Sequence, residues 1–261
     1  MILSDVELER YARQIVLPQV GGPGQRRLKA SSVALIGVGA IGSAALPALA
    51  GAGVGRLTII DNDVVELSNL HRQLIFREDQ AGQPKVEIAA SSARSLNGQI
   101  VVRPLGERLT PANAAGLLGG HDAVLDGSDN FATRLAVNAA CVALRIPLIS
   151  AAAGQFQGQI GLFRGWEASQ PCYHCFVGDA FDADNCDTCA ELGVLGALTG
   201  TAGHFAALVA LRALLGIGDD AAGKLHLLDG LALGWRTMNL PKDPACKTCS
   251  KSSPEPGGGP A

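Results

Sequence analysis

The stretch Gly37-Val-Gly-Ala-Ile-Gly42 has the spacing GxGxxG and decides the fold class of this chain. It follows the apolar run Ser32–Ile36, which is typical of a buried strand, and precedes a helical stretch over residues 43–52. A strand, a glycine turn and a helix in this order present backbone N–H groups to a phosphate at the helix start. The pattern therefore predicts a nucleotide-binding α/β fold.

A second predicted strand, Arg56–Ile60, leads directly into Asp61. Asp61 lies 61 − 42 = 19 residues after the third glycine, about where a carboxylate binds the ribose hydroxyls in βαβ nucleotide-binding folds. A lone GxGxxG is a weak signal in a chain with 33 glycines. The strands and Asp61 together make nucleotide binding the preferred interpretation.

Two cations after Asp61 favour ATP over NAD. Arg72 stands between Asn69 and Gln73, and Lys85 follows after a short loop. Backbone N–H groups suffice for the single pyrophosphate of a dinucleotide, whereas a triphosphate needs additional positive charge. A non-catalytic NAD-binding protein or a dehydrogenase, for which these cations would be surplus, is kept as an alternative.

The motifs resemble those of the MoeB/ThiF/HesA family, the bacterial relatives of ubiquitin-activating enzymes, over about residues 4–250. The matching motifs are Arg10-Tyr-Ala-Arg-Gln14, the glycine loop 37–42, Asp61 with Ser68-Asn-Leu-His-Arg-Gln73, Gly82-Gln-Pro-Lys85, Asp126-Gly-Ser-Asp-Asn130, Gly158-Gln-Ile160 and two cysteine pairs. One departure is Ala40, where the family commonly has a further glycine, and we expect its methyl group to be tolerated. The resemblance implies a Rossmann-like mixed sheet flanked by helices, with a structural zinc site.

The resemblance also implies an activity. Such enzymes adenylate the C-terminal glycine carboxylate of a ubiquitin-like sulfur carrier protein that ends in Gly-Gly, using ATP and Mg²⁺ and releasing pyrophosphate. The implied catalytic residues are Arg13, Arg72, Lys85, Asp129 and Cys189. The implied nucleotide-binding residues are Gly37, Gly39, Ala40, Gly42, Asp61, Asp63, Ser68, Asn69, Arg72, Gln73, Lys85, Asp129 and Asn130. Arg13 is expected to reach the ATP of a neighbouring subunit, which implies a homodimer.

Two other acids are alternative substrates, a peptide C-terminus and the threonylcarbamoyl group of a tRNA. The isoelectric point near 5.9, the net charge of −3 and the lack of a basic run argue against nucleic acid. The sequence does not distinguish a carrier for molybdopterin synthesis from one for thiamine or cysteine synthesis.

Asp129 lies in a polar loop after a predicted strand. Residues 121–126 read as a buried strand, so Asp129 and Asn130 lie beyond its carboxyl end, where open α/β sheets bind ligands. Asp129 is predicted either to cap a helix over residues 131–145 or, as the resemblance implies, to bind Mg²⁺ beside the phosphates. Asp129 could in part serve both as a helix cap and as a Mg²⁺ ligand. Asp126 is expected to be structural, and residues 146–150 and 158–163 are expected to continue the sheet.

Seven cysteines in a chain without a secretion signal indicate metal binding or thiol reactivity rather than a disulfide framework. Three CxxC pairs occur, at Cys172/Cys175, Cys186/Cys189 and Cys246/Cys249. Spacing alone favours a compact zinc site of the first two pairs. The resemblance instead implies that Cys172, Cys175, Cys246 and Cys249 bind zinc and that Cys189 is a reactive cysteine. Cys186 is then a resolving thiol or a loop residue.

Two further side chains are assigned no chemistry. Cys141, in an apolar helical stretch, is expected to pack in the core, and His174, inside the first cysteine pair, is expected to be a spacer.

The organisation of the chain is predicted from its length and its ends. Alternating strand and helix signals over 261 residues predict one domain at 1–250, followed by a tail at 251–261 that is flexible by composition. Ser4-Asp-Val-Glu7 reads as a helix-capping box rather than a signal peptide, so a cytoplasmic protein is expected. No sulfurtransferase-like domain follows Cys249, so we expect a separate sulfur donor protein.

One apolar stretch has the nominal length of a membrane span. Residues 192–211 contain His204 as their only ionisable side chain. Four glycines in this stretch favour instead a loop followed by a buried core or interface helix from about Thr201 to Leu215, ended by Gly216. His204 is interpreted as a core histidine with a satisfied hydrogen bond, and no membrane contact is expected.

Overall fold

The structure, a computed structural model, describes residues 2–178 and 193–250. The predictions for Cys186, Cys189 and the tail 251–261 lie outside these residues. The strands are β1 (Ser32–Ile36), β2 (Arg56–Ile60), β3 (Val101–Leu105), β4 (Ala123–Asp126), β5 (Leu148–Gly154), β6 (Gln157–Phe163), β7 (Lys224–Asp229) and β8 (Gly234–Asn239). The helices are α1 (Asp5–Arg10), α2 (Ala12–Ile15), α3 (Gly21–Ala30), α4 (Ala40–Ala52), α5 (Lys85–Leu96), α6 (Ala114–Leu118), α7 (Phe131–Leu144), α8 (Tyr173–Val177) and α9 (Gly196–Leu215).

These strands form one mixed sheet in the order β3-β2-β1-β4-β5-β6-β7-β8. Strands β1 to β5 are parallel, and β6, β7 and β8 are antiparallel to their neighbours. Ile36 at the end of β1 pairs with Ile60 on one side and Asp126 on the other. The chain therefore changes direction of winding at β1, and the loops after β1, β2 and β4 meet at one edge of the sheet.

The predicted Rossmann-like mixed sheet is confirmed, and so are the bounds of β1 and β2. Helix α4 begins at Ala40, three residues before the predicted start. The physical reason is Gly42 in the first turn, where a Cβ would lie 2.0 Å from the carbonyl oxygen of Gly37. Only glycine lets the helix start this close to the preceding loop.

Helix α9 begins at Gly196, five residues before the predicted start at Thr201. The first glycine of the additional segment allows close packing rather than a loop, since a Cβ at Gly196 would lie 2.2 Å from the carbonyl oxygen of His71. The helix ends as predicted at Gly216, which has a left-handed backbone conformation (φ 64°).

One described helix, α9, is long and apolar enough to cross a membrane by those two criteria alone, and half of its most apolar window is buried inside the protein. It packs on α4, β5 and β6, as a core helix does. His204 is exposed and its Nδ1 lies 2.8 Å from the carbonyl oxygen of Gly200. Its interpretation as a core histidine was therefore wrong, because the side chain lies on the outer face of the helix.

The N-terminal capping box is confirmed. The backbone N–H of Ser4 donates to Oε2 of Glu7 at 2.8 Å, and the Ser4 hydroxyl oxygen accepts from the backbone N–H of Glu7 at 3.3 Å. The helical segment then breaks at Tyr11, so Arg13 lies on the separate short helix α2, where it is exposed.

Candidate active site and cysteine cluster

A cavity of about 1200 Å³ lies at the carboxyl ends of β1, β2 and β4 and extends along β5 to β8. Most of the residues predicted to bind the nucleotide line it: Gly37, Gly39, Ala40, Asp61, Asp63, Arg72, Gln73, Lys85, Asp129 and Asn130. Gly42, Ser68, Asn69 and Arg13 are not part of its lining.

The glycine loop between β1 and α4 forms one wall of the cavity. Gly37 has a left-handed backbone (φ 77°), and a Cβ there would lie 3.3 Å from the backbone nitrogen of Ser128. Gly39 is the N-cap of α4, so the unpaired N–H groups of the first helical turn lie at the cavity. Ala40 is the first helical residue, a position that suits alanine.

Asp61 is held in place at the end of β2 by two backbone donors. Its Oδ2 accepts from the N–H of Val38 at 2.8 Å, and its Oδ1 accepts from the N–H of Asp63 at 2.8 Å. Burial raises the pKa of Asp61 above its ordinary value, while these N–H groups and the charge of Lys85 oppose that shift. The carboxylate thus faces the cavity in a fixed orientation.

The two predicted cations line the cavity. Lys85 begins α5 and is buried, with its Nζ 3.1 Å from Oδ2 of Asp63. Arg72 donates from Nη1 to the carbonyl oxygen of Ser68 at 2.9 Å and contacts Nε2 of His71 at 2.8 Å. Asn69 is buried, and its Oδ1 accepts from the N–H of Glu66 at 3.3 Å. The backbone N–H of Arg72 donates to the carbonyl oxygen of Asn69 at 3.0 Å, so Asn69 belongs to the turn that carries Arg72.

The loop after β4 lines the cavity beside the glycine loop. Asn130, not Asp129, caps α7, since its Oδ1 accepts from the N–H of Thr133 at 2.9 Å. The predicted capping role of Asp129 was therefore wrong, because the helix begins one residue later than a cap at Asp129 requires. Asp129 is instead exposed at the cavity. Asp126 is fully buried, and its Oδ1 accepts from the N–H of Ser128 at 2.9 Å, which fits a structural role.

Two buried polar atoms of cavity-lining residues have no hydrogen-bond partner among the described residues. They are Oε1 of Gln73 and Oγ of Ser128. Because buried polar groups in proteins are almost always paired, such atoms fit a cavity that holds a polar ligand.

Sequence reasoning missed two groups of lining residues. Arg134 and Tyr173 are buried and reach the cavity from α7 and α8. The only sequence signal for Arg134 was its position four residues after the helix cap. Trp235 and Arg236 line the far end of the cavity from β8. They were missed because β7 and β8 were not predicted as strands.

The structure brings together the four cysteines that the family resemblance implied. The Sγ atoms of Cys172, Cys175, Cys246 and Cys249 all lie within 4.8 Å of one another. Sγ–Sγ distances are 3.9 Å for Cys172 and Cys175, 3.6 Å for Cys172 and Cys246, and 3.4 Å for Cys175 and Cys249. Tetrahedral zinc with Zn–S bonds of about 2.3 Å separates its sulfurs by about 3.8 Å, so the cluster fits this ion.

His174 contacts the cluster, with its Nδ1 3.3 Å from Sγ of Cys246. Its interpretation as a mere spacer was therefore incomplete. Burial alone would raise the pKa of Cys246, but the N–H of Cys249 and the imidazole of His174 lower it to about 6. A thiolate at Cys246 is the form that binds zinc. Cys141 is buried in the core, as predicted.

The sequence pattern of the ThiF family matches residues 11–248. The chain belongs to the ThiF family. It is 41% identical to the molybdopterin-synthase adenylyltransferase of Escherichia coli over 249 residues, which are 95% of this chain and 99% of that protein. It is 42% identical to the sulfur carrier protein adenylyltransferase of Thermus thermophilus over 246 residues, 93% of this chain and 91% of that one.

Other ThiF-family relatives are longer. The adenylyltransferase and sulfurtransferase MOCS3 of Anopheles gambiae is 41% identical over 251 residues, which span 96% of this chain and 56% of that protein. Among solved structures, Escherichia coli MccB with ATP superposes with a TM-score of 0.81 at 22% identity, covering 92% of this chain and 74% of that chain. At this identity the likeness shows that the two proteins share a fold.

Proposed function

We propose that this ThiF-family chain is an ATP-dependent adenylyltransferase that activates the C-terminal glycine carboxylate of a ubiquitin-like sulfur carrier protein ending in Gly-Gly. The observation that carries the proposal is the cavity where the glycine loop, Asp61, Lys85, Arg72 and Asp129 converge. The names of the relatives that match this chain nearly end to end support the same activity.

The reaction needs orientation and charge compensation more than proton transfer. The carrier carboxylate attacks the α-phosphorus of ATP, an acyl-phosphate bond forms, and the bond to the leaving pyrophosphate breaks. Because the carboxylate is already the nucleophile, no general base is required. Asp61 accepts hydrogen bonds from the ribose hydroxyls, and Arg72 and Lys85 offset the charge that develops on the phosphates. Gln73 orients the nucleotide through its free Oε1.

The donor sets fit two metal ions. Asp129 offers an exposed carboxylate at the cavity, which together with phosphate oxygens suits Mg²⁺. The bound ion would neutralise phosphate charge. The four cysteines offer a closed set of thiolates, which suits a structural zinc ion that ties the described C-terminal segment to α8.

The proposed assembly is a homodimer in which Arg13 serves the partner's ATP. Arg13 is exposed and outside the lining of its own cavity. The exposed apolar side chains of Val16 and Leu17 follow it closely in the chain and suit a subunit interface. We also propose that residues 1–250 form one domain, in keeping with the single sheet that runs from β1 to β8.

Sulfur is proposed to come from a separate donor protein. No cysteine among the described residues lines the cavity, so the part of the chain that the structure describes offers no thiol to the acyl-adenylate. Cys189 would act only after adenylation. The need for a supply of ATP fits a cytoplasmic enzyme.

The test is carrier-dependent exchange of pyrophosphate into ATP, compared between two variants. Asp129→Ala should abolish the exchange because it removes the magnesium partner, whereas Cys189→Ala should preserve the exchange and slow at most the later sulfur transfer. A carrier truncated by its last two glycines should support no exchange. If Cys189→Ala eliminates exchange while zinc stays bound, the proposed separation of the two steps is wrong.

A further inference from the structure

Arg134 ties the loop after β4 to the middle of β5. Its Nη2 donates to the carbonyl oxygens of Ser128 and Ala151, the latter at 2.8 Å, and its Nη1 donates to Oγ of Ser150 at 3.0 Å. Ser128 directly precedes Asp129. The position of the Asp129 backbone is therefore set in part by a guanidinium that is itself 6% exposed.

The charge of Arg134 is balanced without a carboxylate. No salt bridge joins it to an acidic side chain in residues 2–178 or 193–250. Two carbonyl oxygens and the ring of Tyr173 stabilise the guanidinium in place of a carboxylate. The centroid of the ring lies 6.0 Å from the guanidinium carbon. A buried cation on an aromatic face gains electrostatic stabilisation, and its N–H groups can still donate to neighbouring oxygens.

Tyr173 lies next to the cysteine cluster in the chain. It stands between Cys172 and Cys175, and its backbone N–H donates to Oδ1 of Asn138 at 2.8 Å. The Nδ2 of Asn138 lies 3.5 Å from Sγ of Cys172. Asn138 lies one helical turn after Arg134 on α7, so both side chains lie on one face of that helix. The same face thus holds the first cysteine pair and the loop that carries Asp129.

Tyr173 is fixed from its other side as well. Its ring packs edge to face on Phe163, with centroids 5.7 Å apart, and on Phe176 at 6.1 Å. These contacts and the backbone hydrogen bond to Asn138 fix the ring in one position. The ring in turn restricts the position of the Arg134 guanidinium.

We propose that Arg134 is a positioning residue for the metal and phosphate half of the nucleotide site, and that the cysteine cluster fixes Arg134 through the ring of Tyr173. This inference rests on the proposed binding of Mg·ATP. It adds that the cysteine cluster contributes to nucleotide affinity and not only to folding. Linkage makes the effect reciprocal, so bound Mg·ATP also strengthens metal binding at the cysteines.

The first test is Arg134→Lys, with calorimetric titration of Mg·ATP and of AMP into the zinc-loaded enzyme. A lysine ammonium cannot reach all three acceptors of Arg134, so the loop that carries Asp129 should be held less firmly. The Kd of Mg·ATP should therefore rise about tenfold, which corresponds to the free energy of one charge-assisted hydrogen bond. The Kd of AMP, which lacks the β- and γ-phosphates, should stay unchanged. Arg145→Lys, the same change in an exposed side chain at the other end of α7, is the matched control.

Equal weakening of AMP and Mg·ATP would overturn the proposal, because Arg134 would then support the cavity as a whole. Unchanged Mg·ATP binding would overturn it too. If the wild-type enzyme does not bind Mg·ATP, the proposed function fails first, and the two failures are thereby distinguished.

The second test compares Tyr173→Leu with Tyr173→Phe, two variants that both lack the hydroxyl and differ in the aromatic ring. Tyr173→Leu should bind Mg·ATP about fivefold more weakly than Tyr173→Phe, as expected for a cation–π contact of about 1 kcal/mol. Zinc content is measured in both. Equal affinities at equal zinc content contradict the role of the ring. If Tyr173→Leu loses zinc and still binds Mg·ATP as tightly as Tyr173→Phe, the proposed link between the cysteine cluster and the nucleotide site is contradicted as well.

Discussion

The Nζ of Lys85 lies 3.1 Å from Oδ2 of Asp63, and this ion pair joins a nearly buried cation to a carboxylate that is 61% exposed. A pair with one exposed partner contributes little to stability, about 0–1 kcal/mol. The ion pair instead fixes the position of the Lys85 ammonium at the cavity wall. Its remaining N–H groups can donate to a ligand. The glycine loop lies in the lining of the same cavity, so we expect a bound triphosphate to contact its N–H groups as well as the ammonium.

Lys85→Met should therefore weaken Mg·ATP binding strongly, and Asp63→Asn only slightly. Loss of a charge-assisted hydrogen bond costs about 1.5–3 kcal/mol, or roughly 10-fold to 100-fold in Kd. Asp63→Asn keeps an oxygen within reach of the ammonium, so the expected change is below about fivefold. Calorimetry on both variants checks this. Equal losses in the two would mean that Asp63 contacts the nucleotide itself.

The fold around the glycine loop could be predicted from sequence because its signals are local. The apolar run of β1, the glycines and Asp61 follow one another within 30 residues, from Ser32 to Asp61, and each is specified by its neighbours in the chain. The register of Ile36 with Ile60 and Asp126 then brings the predicted loops to one edge. Most of the predicted nucleotide-binding residues consequently line one cavity.

What could not be predicted depends on tertiary contact. Gly196 was expected to lie in a loop, yet it lies in α9, where it packs so closely that a Cβ would be 2.2 Å from the carbonyl oxygen of His71. Arg134 reads as an ordinary helical arginine until Tyr173, 39 residues further on (173 − 134), covers it. The polar pattern of β8, whose residues are mostly exposed, gives little apolar alternation to recognise a strand.

Adenosine binding should weaken as the pH falls, with a midpoint above the ordinary pKa of an aspartate. In the proposed site the ionised carboxylate of Asp61 accepts hydrogen bonds from the ribose hydroxyls, and burial raises the pKa of this carboxyl. Binding is therefore complete above this raised pKa and is lost as the pH falls through it. Adenosine is the probe because it carries the ribose but no phosphate that titrates in this range. Asp61→Asn should bind weakly at every pH, and a wild-type profile as flat as that of the variant would contradict the role of Asp61.

Cys246→Ser should lower both bound zinc and thermal stability. A structural site contributes its binding free energy to folding, so an incomplete ligand set costs several kcal/mol. The wild-type chain should contain one zinc ion, measured by atomic absorption, and its Tm should fall after chelation. Cys186→Ser is the matched control and should keep the ion. Loss of zinc in Cys186→Ser with retention in Cys246→Ser would establish the compact site of the first two cysteine pairs instead.

Arg13→Ala should abolish adenylation by removing a cation from the partner's site. Arg13 is exposed on α2 and does not line its own cavity, and a guanidinium supplied from another subunit to a transferring phosphoryl group is worth about 10³–10⁵ in rate. Arg10→Ala is the matched control. Arg10 precedes α2 and donates to the carbonyl oxygen of Leu96 at 2.9 Å, so its loss should leave the rate nearly unchanged.

Complementation between two inactive variants shows in which subunit Arg13 acts. When Arg13→Ala and Asp129→Ala chains are mixed and allowed to reassociate, a heterodimer with Arg13 acting in trans has one site with both defects and one with neither. Random pairing puts half of the chains in heterodimers, so activity should return to about a quarter of the wild-type value. If Arg13 acts within its own subunit, every site keeps one defect and mixing restores nothing. A monomeric protein in solution would contradict the assignment before any mixing.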